Sequence, residues 1–573
     1  MSATKSAATN DKTASDSQQW GRLLICGGTD WPRLGRKDRT GSTNPETGEP
    51  LNPDLLEPHI LRSLVNVRIT SVHTSCASCH FVAIDVDGNA WLFGRNGFSC
   101  LGVSGEEYIS ENAPRMVKAS ELGAAKGTKF VHAACGRNHT LLVGSDGSVW
   151  SAGVNNLGQC GHSTCPEVPQ FKAVNVTHGG NKERVVQASA GISFSLVLTD
   201  AGKVFSFGSA EKGQLGNGTT GERITTGNKT AFDIEDRPIY VKELDGKKIV
   251  QIASGQQHSL ALDDTGVVYV WGYNGYCRLG LGNQVDILKP KPVPQFSGSN
   301  DASLASAISA GPTSSVSTLY LLNVLTAISG KTVERASKNI QPEFLIINVI
   351  HTGSSGSPYS TFRFIQDIMG CKISLARSGG VTHWLITPDD DGTPMTVCYG
   401  QNAANGELGL GVDEPKSSTK PTKNIPLQEI EIIEWVFNYA LGGEWRPNRL
   451  YSIAPGQNTT VLLAKPNDDK FSDLPRHPID VQPPQECVGC KRDDGDPLEC
   501  DKCDAPWHLE CLNPPLSAVP DGEWFCPQCL DDPGAPVGLW RDTKTNRKRQ
   551  RPESPMNDAR AEVSKGGSKK KKQ

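Results

Sequence analysis

The stretch FGRNGFSCLG (93–102) joins an apolar strand ending in Gly to a short turn and a Leu-Gly pair. The same element stands at CGGTDWPRLG (26–35), AGVNNLGQCG (152–161), FGSAEKGQLG (207–216), WGYNGYCRLG (271–280) and YGQNAANGELGLG (399–411). A second element precedes most copies: a small residue, two variable residues, His, then an alternating strand. It reads ASCHFVAID (77–85), GRNHTLLVG (136–144), GQQHSLALD (255–263) and GVTHWLIT (380–387), with Phe194 in the His position of GISFSLVLT (191–199). Positions 80, 139, 194 and 258 are 59, 55 and 64 residues apart. Short period-2 strands joined by Gly-rich turns at such a period predict an all-β chain folded as a β-propeller.

The composition agrees. Glycine supplies 59 of 573 residues, about 10%, against ~7% in average proteins. Tight turns and close strand approach account for the excess. The length exceeds one ordinary core and implies a repeat array or several domains. The net charge of −4 excludes only a uniformly basic nucleic-acid binder. Residues 486–532 carry 12 Asp or Glu against 3 Lys or Arg, a net of −9, and 541–573 carry 12 Lys or Arg against 4 Asp or Glu, a net of +8. The longest mostly apolar run, Ser317 to Ser329, is shorter than the ~18 residues of a membrane span, so no membrane partner is expected. The N-terminus lacks an apolar signal region, so the chain is expected inside the cell with its thiols reduced. Seven of 17 cysteines fall between Cys487 and Cys529, and such clustering points to metal.

GTDWPRLGRKD (28–38), AACGRNHTL (133–141), GYCRLG (275–280) and GELGLGVDEPKSST (406–419) resemble the regulator of chromosome condensation family, in its telophase-disc-like branch. The resemblance covers roughly 20–464 and implies seven blades. Six turn elements are visible, and a seventh unit is expected between Gly280 and Gly400. LYSIAPGQNTTVLLA (450–464) reads as half a repeat that pairs near Leu23–Cys26 and closes the ring, removing exposed sheet edges. Within the expected unit, 318–352 is anomalous because it has no repeat turn. A retained intron would explain it, and an uninterrupted messenger would exclude that explanation. SGKT (329–332) is not a phosphate loop, since Leu325 occupies the position of the required Gly.

The expected organisation is a disordered arm (1–19), the propeller (20–464), a semi-extended Pro- and Asp-rich linker (465–485), a zinc module (486–530) and a disordered basic tail (531–573). The module reads ECVGCKRDDGDPLECDKCDAPWHLECLNPPLSAVPDGEWFCPQC (486–529). Its seven cysteines and His508 supply enough ligands for two closed tetrahedral Zn²⁺ sites. With no open coordination position, such zinc is structural, and it supplies folding free energy that so short a segment lacks.

The order of four Cys, one His and three Cys, with Trp524 before a Cys-Pro-x-Cys ending, resembles a plant homeodomain (PHD) finger more than a RING-type module. The resemblance implies interleaved ligation: one ion on Cys487, Cys490, His508 and Cys511, the other on Cys500, Cys503, Cys526 and Cys529. It also implies a histone-tail ligand, usually Ala-Arg-Thr-Lys, added as a strand along Pro497–Cys500, which includes Leu498 and Glu499. The turn Pro520–Glu523, with Gly522, would accept the amino terminus, and Asp501 and Asp504 match a pair that grips unmodified arginine. Methyl-lysine readers of this family carry a Trp where this chain has Pro506, with Trp507 in the adjacent core position. Asp493, Asp494 and Asp496 offer charge near the expected lysine, so the unmodified lysine should be preferred to its trimethylated form.

In the tail, Arg547, Lys548, Arg549, Arg551, Lys569, Lys570, Lys571 and Lys572 read as a nuclear localisation signal, with non-specific nucleic-acid contact as a further use. Cys76 and Cys79 read as buried thiols, and Trp91, Trp150 and Trp271 as core. His80, His139, His258 and His383 recur at one repeat position, which favours a structural hydrogen bond within each blade over a metal set. The sequence thus points to a nuclear chromatin adaptor, with no catalytic residues, whose propeller binds a protein partner. The alternative is a guanine-nucleotide exchange factor or regulator acting on a small GTPase.

Overall fold

The computed structural model describes residues 19–36, 52–296, 304–322, 345–351, 360–368, 371, 373–389, 392–433, 452–466, 471–478, 481, 483–520, 522–535 and 537. The basic tail from 541, with its proposed import residues, lies outside the described residues, as do residues 1–18, 323–344 and 352.

Among the described residues, alternating apolar runs form five four-stranded and two five-stranded sheets, accompanied by three two-stranded ones. Consecutive strands pair antiparallel, as short turns require. The core lies between neighbouring sheets. Val82, Leu92 and Leu101 of one repeat meet Phe130 and Trp150 of the next, and all are buried. Trp31, Phe81 and Phe93 join the sheet that closes the ring to its neighbour, with Phe81 and Phe93 stacked at 5.4 Å. Full burial of each such side chain contributes about 1.5–3 kcal/mol.

Ring closure uses the strand pair expected for the last half-repeat. Thr459–Ala464 pairs antiparallel with Arg22–Gly27, setting Leu463 opposite Leu23 and Thr460 opposite Cys26. Both ends of the anomalous segment 318–352 are blade strands. Ser315–Leu322 and Leu345–His351 pair in continuous register from Val316↔His351 to Leu322↔Leu345.

The recurrent turn has a polar core that the repeat pattern did not reveal. Asn96 Oδ1 accepts from the Leu101 amide at 2.8 Å, while its Nδ2 donates to the carbonyls of Val103 and Glu106. Asn155 and Asn274 do the same in their own turns. The Gly preceding such a turn has no room for a side chain. At Gly153 φ is +116°, and a Cβ would stand 2.4 Å from the Asn138 carbonyl oxygen.

The repeat histidines bind across blades more than within them. His80 Nε2 meets Thr140 Oγ1 at 2.8 Å, His139 Nε2 meets Ser195 Oγ at 2.9 Å, and His258 Nε2 meets Ser315 Oγ at 3.3 Å, each in the following sheet. Bonds within the blade, as expected, are made by His80, whose Nδ1 meets Ser78 Oγ at 3.0 Å, and by His383, whose Nδ1 meets Ser378 Oγ at 3.0 Å. His80, His139 and His258 each begin the second strand of their sheet, from which the ring reaches the following sheet. Trp91, Trp150 and Trp271 are core, and Cys76 and Cys79 are buried thiols whose pKa burial raises to about 12.

The connector after the propeller packs against the ring. Phe471 and Leu474 are buried, and Arg476–His477 adds a parallel strand to Leu55–Leu61. His477 Nε2 stands 2.6 Å from Glu111 Oε1, and Glu111 Oε2 accepts from Trp31 Nε1. The docked connector covers an otherwise open sheet edge and brings the finger onto the ring.

Candidate metal centre and peptide surface

The finger has little regular structure: a two-residue strand pair, Leu498–Glu499 with Pro506–Trp507, and a short helix, Pro527–Asp531. Its apolar core holds Val488, Ala505, Trp507 and Leu512 among the buried cysteines. So small a core needs a staple.

The eight donors fall into two groups, Cys487, Cys490, His508 and Cys511, and Cys500, Cys503, Cys526 and Cys529. Donor atoms within each group lie within 4.8 Å of one another. Cys503 Sγ stands 3.8 Å from Cys526 Sγ and 3.5 Å from Cys529 Sγ. His508 Nδ1 stands 3.3 Å from Cys490 Sγ. Donors sharing one tetrahedral zinc at ~2.3 Å would be about 3.8 Å apart, so these spacings fit the ion. His508 Nε2 donates to the Asp494 carbonyl, which turns Nδ1 toward the thiols. The grouping is the interleaved one expected from the resemblance.

Among the described residues, Leu498–Glu499 has one partner strand, Pro506–Trp507. Asp493, Asp494 and Asp496 are exposed beside it, and Gly522 is exposed in the turn after Pro520. Pro506 and Trp507 are buried, so the Trp presents no open aromatic face. Trp524 packs against the finger core and donates its amide to Asp501 Oδ2 at 2.6 Å.

Asp501 and Asp504 are drawn to the propeller side. Arg62 Nη1 donates to Asp504 Oδ1 at 2.7 Å, and Arg476 Nη1 donates to the Asp501 carbonyl at 2.6 Å. Arg22 Nη2 reaches Glu523 Oε2 at 2.5 Å. Asn66 Nδ2 donates to the Cys529 carbonyl at 2.7 Å, and Lys502, 1% exposed, donates to the Pro533 carbonyl at 2.6 Å. Sequence reasoning missed Arg22, Arg62, Asn66, Arg476 and Lys502 because single polar residues without a recurring spacing form no motif.

On the ring, Phe98 and Tyr276 occupy matching turn positions with φ of 57° and 60°, and they are 54% and 52% exposed. The signal for them was present: bulky residues stand where a turn favours Gly or Asn.

Comparison with known proteins agrees with this anatomy. The RCC1-like domain model matches residues 22–445 and the PHD-finger model matches 487–529. The chain belongs to the RCC1-like domain family and carries a PHD finger after the propeller. Protein RCC2 homolog of Danio rerio is 30% identical over 431 residues, 73% of this chain and 77% of its own length. Protein RCC2 homolog of Xenopus laevis is 29% identical over 435 residues, 74% of this chain and 75% of its own. Among solved structures, Prp20p of Saccharomyces cerevisiae, described with its binding to Gsp1p and histones, superposes with a TM-score of 0.54. That match has 16% identity over 79% of this chain and 94% of Prp20p, and it shows the shared fold.

Proposed function

We propose that the chain is a nuclear chromatin-associated adaptor. Two structural Zn²⁺ ions hold its finger, which takes the unmodified N-terminal Ala-Arg-Thr-Lys segment of a histone tail. A seven-bladed propeller binds a protein partner; five four-stranded and two five-stranded sheets among the described residues support that blade count. The observation that carries the reading is the strand Leu498–Glu499 beside the exposed carboxylates of Asp493, Asp494 and Asp496. A peptide added there gains backbone hydrogen bonds, and its lysine ammonium meets carboxylates. The carbonyls around Pro520 and Gly522 receive the free amino terminus. With Trp507 buried and Pro506 in the place of a cage aromatic, a trimethylated lysine gains no cation–π partner. A chromatin ligand and a basic tail agree with nuclear localisation. Titration of the full chain with unmodified and trimethyl-lysine peptides tests the reading. Tighter binding of the unmodified peptide is expected, and preference for trimethyl-lysine overturns it.

A second reading makes the propeller an exchange factor or regulator for a small GTPase. The fold shared with Prp20p and the exposed Phe98 and Tyr276 favour a protein partner on the ring. Nucleotide release from a panel of small GTPases, accelerated by the full chain above the intrinsic rate, would establish it; no acceleration leaves the adaptor.

A further inference from the structure

Two carboxylates of the finger already hold arginines of the same chain. Asp504 Oδ1 accepts from Arg62 Nη1 at 2.7 Å. Asp501 Oδ1 accepts from Arg476 Nη2 at 3.2 Å, and its other oxygen is committed to the Trp524 amide. These are the two carboxylates that the resemblance to PHD fingers assigns to a peptide arginine. Both are consumed from the propeller side, one by the residue that follows the strand Leu55–Leu61 and one by the strand paired with it.

The surroundings make this a formed interface. Arg62 is 8% exposed, and Asn66, Lys502, Arg22 and Glu523 add further polar contacts across it. The fit at Arg62 is nevertheless incomplete. Its guanidinium meets Asp504 through one nitrogen, and its buried Nε has no hydrogen-bond partner. A buried unsatisfied donor costs about 1–3 kcal/mol. The contact is therefore specific in chemistry but not optimal in geometry, as an exchangeable ligand must be.

We propose that Arg62 and Arg476 are resident ligands of the finger's arginine site, and that a peptide arginine enters as the finger lifts from the sheet edge. The inference rests on the finger being a tail binder. The incoming guanidinium offers the same charge-assisted bonds as the departing ones, so competition is direct. A binding-competent state populated to a fraction f weakens apparent affinity by 1/f. By reciprocity, peptide binding frees the finger from the ring.

The test titrates the full chain with a labelled Ala-Arg-Thr-Lys peptide, by fluorescence anisotropy, beside the same peptide with alanine in place of arginine. Arg476→Ala, in the connector, is the first variant, and Arg62→Ala the second. Should Arg62→Ala lose its fold, Arg476→Ala alone decides. A docked state favoured tenfold predicts a gain of about tenfold in affinity for the arginine peptide on releasing it. The alanine peptide should gain less than about twofold, because the exchanged guanidinium is absent. Equal or weaker binding of the arginine peptide by Arg476→Ala overturns the competition and leaves tail binding standing. An equal gain for both peptides also overturns it. Absence of binding in every protein overturns it together with the tail-reading function.

Discussion

Arg22, in the strand that opens the ring, stands 2.5 Å from Glu523 of the finger, Nη2 to Oε2. The guanidinium lies 4.7 Å from the Trp20 ring centroid and 5.8 Å from that of Phe525. One side chain thus takes part in the closing sheet and in the interface. Arg22→Ala leaves Glu523 without its partner and should weaken docking by about 1–3 kcal/mol. Hydrogen exchange checks this: finger amides should exchange faster while ring amides keep their protection. Unchanged finger exchange would show that the pair does not hold the finger.

Metal removal should separate the two domains energetically. Chelation is expected to unfold the finger and spare the propeller, whose core contains none of the eight donors. Metal analysis should find two zinc ions per chain, and each of Cys487→Ser and Cys526→Ser should lose at least one. Circular dichroism should retain the β signal after chelation. Collapse of that signal would mean that the ring depends on the finger.

Acid should destabilise the ring through its inter-blade histidines. Burial lowers the pKa of His80 to about 3 and of His139 to about 4, and holds His258 well below 6.5. The folded values lie below the unfolded one, so the unfolded chain protonates first as pH falls. The stabilisation is complete above 6.5 and is lost between 6.5 and the folded values. For His80 the loss near pH 5 is about 2 kcal/mol. Glu407, raised by burial to about 7, acts in the opposite sense: its contribution is present below 4.5 and fades as pH rises through 7. Comparison of Tm across pH between the native chain and His80→Gln isolates the histidine term. The native chain should lose Tm more steeply below about pH 6.5; identical slopes would exclude His80.

Phe98 and Tyr276 hold left-handed backbone with largely exposed rings. Phe98→Gly and Tyr276→Gly should each raise stability by about 1 kcal/mol, because Gly removes the steric cost. Urea unfolding measures this. A fall in stability would mean that ring contacts outweigh the backbone strain. A partner that uses this face should bind the double variant more weakly despite its greater stability.

The sequence by itself determined the repeat, its all-β character, the closing half-strand and the clustering of eight metal donors. Each is local or periodic: a Gly-ended strand before a turn, a His heading a strand, Cys pairs separated by two residues. Such patterns persist in one dimension because every blade solves the same packing problem. The partners of those residues were not legible. His80 bonds Thr140 in the next sheet, a relation set by how sheets nest. The connector 465–485 reads as a semi-extended linker, and nothing in its composition shows that Arg476 and His477 add a strand to the closing blade. Asp501 and Asp504 stand out in the sequence as acids of the finger, but Arg62 and Arg476 as their partners do not. Those contacts join residues far apart in the chain with no spacing rule between them. Only the docking of one domain on the other, through buried charge and shape, decides them.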